Sequence, residues 1–201
     1  MIGVNAALGH VIRMFPSAIA LVGGVAILAI VAVSGAAVAE DLSRFYGTYV
    51  GRASAENLVT GAKEERDIDI VIAPFGDDGL RIDWITVGLV DGRRDLPGVR
   101  RRAQTALFKP SPDQNFLIEA EERNVFRERD EIEVIKGDPV RWTWVDDDTL
   151  HVCTFVVLED GRYELQIYQR ILTEAGMDIL FERIVDGETI RRVTGKTVRA
   201  G

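Results

Sequence analysis

Beyond residue 40 the apolar positions recur two apart, in short runs. Ile68, Ile70 and Ile72 stand opposite Asp67 and Asp69, and Tyr163, Leu165, Ile167 and Ile171 stand opposite Arg162, Glu164, Gln166 and Arg170. A period of two is that of a β-strand with one face on a core and the other in water. That rule sends the isoleucines of both runs inward and leaves Glu164, Gln166 and Arg170 in solvent. In 150–158 both faces are apolar, with Val152, Val156 and Leu158 on one and Cys153, Phe155 and Val157 on the other. That strand is expected to be covered on both sides.

About ten such runs divide the chain: 45–53, 67–74, 80–90, 100–109, 116–120, 140–145, 150–158, 163–172, 178–185 and 189–199. Between them stand Gly76-Asp77-Asp78-Gly79, Asp91-Gly92, Asp160-Gly161 and Asp186-Gly187, residues that accept positive φ or cap a turn with a side-chain oxygen. The polar stretch 54–66 is expected to be a loop. The charge-dense stretch 121–136 is compatible with a short helix, a long loop or a solvated strand. No helical period is sustained, and no repeat or low-complexity tract appears. The expectation is an all-β domain over residues 40–201, an antiparallel meander of 8–10 strands. Closing it into an up-and-down barrel removes the exposed edges of a long meander, and a β-sandwich is the alternative.

Ahead of this domain, residues 17–39 carry no charge, with Arg13 before them and Glu40-Asp41 after. This predicts a hydrophobic helix acting as a signal peptide, with Ala37-Val38-Ala39 as a cleavage site. The competing reading is an uncleaved anchor, since about 20 apolar residues span a bilayer. Both place residues 40 onward outside the cytoplasm, in the periplasm or cell envelope, with membrane contact only through residues 17–39 if uncleaved.

The opening Ser43-Arg44-Phe45-Tyr46-Gly47-Thr48-Tyr49-Val50-Gly51 resembles the Gly-x-Trp entry of lipocalin and related calycin barrels, with Tyr49 where the family has Trp. The resemblance implies that Gly47 and Tyr49 close the barrel bottom, and that an arginine of the last strand packs across the ring: Arg191, Arg192 or Arg199. More broadly, segments 137–142, 155–165 and 181–187 resemble uncharacterised exported bacterial proteins, a likeness that implies no activity.

Charge narrows the partners. The 201 residues hold 24 Lys and Arg against 32 Asp and Glu, and only Arg13 of these lies in the first 39. The remainder is acidic, which argues against a nucleic-acid partner and against docking on an anionic membrane surface. With Cys153 as the only cysteine no intramolecular disulfide forms, and Cys153 reads as a small core residue.

Chemistry is sparse. His151 is the only histidine after residue 39, so a zinc site and a Ser/His/Asp or Cys/His triad both lack members. Asp146-Asp147-Asp148 lacks the alternate-residue spacing of a calcium loop and reads as a solvated turn. No metal, no cofactor and no enzymatic activity are expected. Two groups remain. Trp84, Trp142, Trp144, Phe155 and Tyr168 could line an apolar cavity, and Arg93, Arg94, Arg100, Arg101 and Arg102 could receive an anion or an acidic partner. The function expected is a non-enzymatic envelope protein binding a small apolar or amphipathic ligand inside a barrel. A tethered accessory or interaction module, docking an envelope protein partner, is the alternative.

Overall fold

A computed structural model describes residues 42–112, 116–120 and 132–200. Ten strands follow one another: β1 (Gly47–Asn57), β2 (Lys63–Phe75), β3 (Gly79–Gly88), β4 (Arg101–Pro110), β5 (Leu117–Glu119), β6 (Val140–Asp146), β7 (Thr149–Val157), β8 (Tyr163–Leu172), β9 (Gly176–Val185) and β10 (Glu188–Ala200). Each pairs antiparallel with the next, and β1 pairs with β10, so the meander closes into a barrel and the sandwich alternative falls. Chain-order neighbours pair because the turns between them are tight. Asp186 (φ 54°) and Gly187 (φ 86°) are both left-handed, as a two-residue hairpin requires.

Two expectations are corrected. Residues 54–66 do not form a loop: β1 runs to Asn57 and β2 starts at Lys63. Ladder hydrogen bonds belong to the backbone, so polar side chains at the barrel mouth do not end a strand. The turn is confined to the intervening residues, where Asn57 Oδ1 accepts the N–H groups of Val59 and Thr60 at 3.0 Å each. Of the stretch 121–136, residues 121–131 lie outside the described residues, and Val134–Lys136 is one 3-10 turn. The leader, with its cleavage site or anchor, also lies outside them. Among the described residues no helix is long and apolar enough to cross a membrane.

One end of the barrel is packed solid. Leu42, Phe45, Tyr49, Ile72, Leu80 and Phe108 are fully buried there. Such side chains contribute about 1.5–3 kcal/mol each by leaving water. Tyr49 Oη donates to the Phe45 carbonyl (2.9 Å), and Arg199 Nη2 donates to Tyr49 Oη (2.6 Å) and to the Arg44 carbonyl (2.9 Å). The Arg199 guanidinium carbon sits 5.2 Å from the Tyr49 ring centroid. Of the three arginines that the lipocalin resemblance leaves open, Arg199 is the one across Tyr49. Gly47 lies alongside, where an added Cβ would stand 3.5 Å from Arg199 Nε.

Register decides which face of each strand points inward, because directly opposed residues share a face. Arg170 is opposed by Leu150 and Ile179, both buried, and Tyr168 by Val152 and Phe181. The inward face of β8 is therefore Glu164, Gln166, Tyr168 and Arg170. This inverts the expectation that Leu165 and Ile167 face the core. On β6, Thr143 is fully buried and its Oγ1 donates to the His151 carbonyl at 2.6 Å. Trp142 and Trp144 flank it in sequence and so point outward, half-buried, opposite Cys153 and His151.

A candidate ligand-binding cavity

Above the solid end the barrel holds a cavity of about 350 Å³, walled by β2, β3 and β4 on one side and β8, β9 and β10 on the other. Its apolar wall is Ile68, Ile70, Trp84, Ile179, Phe181 and Val193; five arginines, Arg66, Arg102, Arg170, Arg183 and Arg191, share the remainder with one carboxylate, Glu164. In a chain of net acidic charge the interior is cationic. Hydrogen-bonding groups in low dielectric act strongly, so this wall favours an anion over a neutral ligand.

Arg170 is the deepest of the five. Only 3% exposed, it has no carboxylate partner among the described residues, and its Nε and Nη1 are buried without a hydrogen bond. Its guanidinium carbon stands 5.7 Å from the Trp84 ring centroid and 5.5 Å from that of Tyr168. These aromatic faces offset part of the charge's desolvation but accept none of its N–H groups. Burial brings its pKa down to about 10, with the neighbouring Tyr168 acting in the other direction, so it stays a cation at neutral pH.

Glu164, 4% exposed, is already engaged. Its Oε2 accepts from Arg183 Nη2 and its Oε1 from Gln166 Nε2 (2.6 Å). Burial alone would raise its pKa, but the Arg183 guanidinium and Gln166 amide more than offset that and hold it below the usual carboxylate value. The hydrogen bond from Tyr168 Oη to Gln166 Oε1 at 3.3 Å extends this chain along β8. The phenol is kept protonated above its ordinary range, chiefly by burial.

The aromatic candidates separate into two groups. Trp84 and Tyr168 stand in the cavity wall with ring centroids 5.9 Å apart, and Tyr168 lies 4.5 Å from Phe181. Trp142, Trp144 and Phe155 are not in that wall, a correction imposed by strand parity. Trp144 stacks on His151 at 4.6 Å and Phe155 on Tyr163 at 6.0 Å, all on the outer surface.

The five arginines read as one cluster also scatter. Arg93 pairs with Asp95 (2.7 Å) and Arg94 with Asp67 (3.5 Å), so both are spent on surface ion pairs. Arg102 lines the cavity and Arg100 its mouth, while Arg101, one residue from Arg102 on the same strand, faces out. Cys153 is a buried free thiol whose pKa burial pushes up to about 11, which removes its nucleophilic form at neutral pH. Asp148 of the acidic turn pairs with Arg44 at 2.9 Å, and no group of three or more His, Cys, Asp or Glu placed for a metal occurs among the described residues.

Arg66, Arg170, Arg183, Arg191, Glu164 and Gln166 escape sequence reasoning because the rule that polar residues face water assigns them to the surface. One signal was available. Tyr168 has the same parity as Glu164, Gln166 and Arg170, so placing its ring in the cavity brings all three inside with it.

No protein-family model and no curated protein matches the chain. Among solved structures the chain is similar to the S-type phycobiliprotein lyase CPES from Guillardia theta, at 12% identity and a TM-score of 0.46, over 81% of this chain and 92% of that one. Nothing in these comparisons ties the chain to exported bacterial proteins. The lyase bears an enzyme's name, which stands against the expectation, drawn from the missing nucleophile and metal constellations, that the chain is not an enzyme.

Proposed function

We propose that the barrel binds a small amphipathic molecule, with its apolar body against Trp84, Ile179 and Phe181 and an anionic group on Arg170. The observation that carries this is the buried guanidinium whose Nε and Nη1 have no hydrogen-bond partner among the described residues. An unsatisfied buried donor costs about 1–3 kcal/mol, and a charged one more. An acid group brought by a ligand removes that penalty, so binding gains what folding gave up. A cavity of about 350 Å³ lies within the size of small-molecule sites and mixes apolar walls with a few convergent polar groups in the way such sites do.

The reading is tested with decanoate and decanol, which share an alkyl body and differ in the head. Decanoate is expected to bind at least about tenfold tighter, and Arg170→Met to erase the difference. Equal binding of the two by the unaltered barrel would sink the reading.

The uncharged run 17–39 and Ala37-Val38-Ala39 support a second proposal, that the barrel works outside the cytoplasm after cleavage behind Ala39. Mass spectrometry of the chain recovered from its own cells tests it: a mature start at Glu40 is expected, and a full-length chain in the cytosolic fraction contradicts it.

A further inference from the structure

At the cavity mouth a separate recess of about 140 Å³ is walled by Arg66, Arg100, Arg102 and Arg191, with Glu64, Thr86 and Gly88 completing it. Three of these arginines, Arg66, Arg102 and Arg191, also belong to the cavity wall, so the two spaces adjoin. Four guanidiniums face one carboxylate. Arg66 Nη2 donates to Glu64 Oε2 at 2.6 Å, and Arg191 Nη2 lies 3.7 Å from the same oxygen. Arg66 Nε remains buried and without a partner. Burial first, then the neighbouring Arg66, Arg102 and Arg183, lower the Arg191 pKa, with Glu64 opposing them.

From this we infer that the mouth is a phosphate subsite, that the amphipath held in the cavity carries a phosphate monoester there in addition to the acid group on Arg170, and that Glu64 is an internal competitor for the same guanidiniums. The chemistry selects phosphate over carboxylate. A carboxylate neutralises one of the charges in excess, whereas a phosphate monoester carries about −1.5 to −2 and three acceptor oxygens at neutral pH. All four cations are arginine, whose planar fork matches those oxygens in pairs. Glu64 lies over position 88, where a Cβ would stand 2.5 Å from Glu64 Oε1. Gly88 thus makes room for an oxyanion at the site that the incoming phosphate takes over.

The inference rests on the cavity being a ligand site, yet the subsite can be tried without any amphipath. Titration calorimetry of the full chain with inorganic phosphate, against acetate at equal ionic strength, reads it directly. Saturable phosphate binding is expected, at least about tenfold tighter than acetate. Arg102→Gln and Arg191→Gln should each weaken it by about tenfold, Glu64→Gln should tighten it several-fold, and the outward Arg101→Gln should leave it as it was. Phosphate no tighter than acetate, Arg102→Gln without effect, or Glu64→Gln weakening the site would each overturn the subsite. Decanoate esterified with phosphate at its far end binding more tightly than decanoate supports the monoester assignment, and no gain refutes it. The two ideas fail separately: phosphate binding without decanoate binding removes the cavity reading, and the reverse removes the subsite alone.

Discussion

Arg170 sits inside the barrel with its guanidinium between the rings of Trp84, at 5.7 Å, and Tyr168, at 5.5 Å, and with no carboxylate opposite. A buried cation so placed burdens the fold, and removing it should relieve the burden. Arg170→Met, which keeps the stem's bulk, is expected to raise stability in urea by about 1–3 kcal/mol while abolishing the preference for decanoate over decanol. A destabilised variant would mean that the charge is satisfied in a way the geometry does not show.

The Trp84 ring lies in the cavity wall and the Trp142 ring outside it. Trp84→Ala should weaken ligand binding by about tenfold or more, through lost apolar contact and the lost face over Arg170. Trp142→Ala should leave ligand affinity unchanged. Fluorescence titration with decanoate separates them, and equal losses would contradict the placement of the two rings.

At the solid end, Tyr49→Phe removes the acceptor of Arg199 and the donor to Phe45 without emptying the core. A loss of about 1–3 kcal/mol is expected in urea unfolding. In a double-mutant cycle with Arg199→Met, a coupling of about 0.5 kcal/mol or more should appear, and additive effects would deny the contact.

Glu164 carries a pH signature. Its pKa in the folded barrel is below its ordinary 4.5, so its pairing stabilises the fold above that value and is lost as pH falls through the lower, folded pKa. Glu164→Gln should flatten the acid limb of the stability profile below pH 4.5. At neutral pH it should cost only about 1 kcal/mol, because Arg183 is 42% exposed and half solvated already.

His151 acts at milder acidity. Burial against Trp144 lowers its pKa below 6.5, with Asp146 opposing weakly, so the unfolded chain takes up the proton first. Stability should fall as pH drops from about 6.5 towards the folded value. His151→Gln should remove that slope in urea melts collected across the range, and an unchanged slope would assign it to other groups.

Much of the barrel is legible from local chemistry. Alternation at Ile68, Ile70 and Ile72 and turn pairs such as Asp186-Gly187 are set by short-range geometry, so the strands and their meander order follow from pattern and turn type, while the pairing of β1 with β10 decided closure against a sandwich. The place of Tyr49 at the solid end was implied by the lipocalin resemblance of the Gly47-Thr48-Tyr49 opening, not by local chemistry. Which face of a strand is interior is not local. In β8 both faces carry enough polarity or apolarity to be read either way, and only pairing with Val152, Ile179 and Phe181 turns Glu164, Gln166 and Arg170 inward. The site then needs Arg66, Arg102 and Arg191, which lie far apart in the chain and meet only because β2, β4 and β10 come round to one mouth. The sequence by itself determined the strands and their order, because those depend on neighbours along the chain. The cationic cavity was decided by tertiary closure, because register across the barrel, not polarity along a strand, selects the side chains that face it.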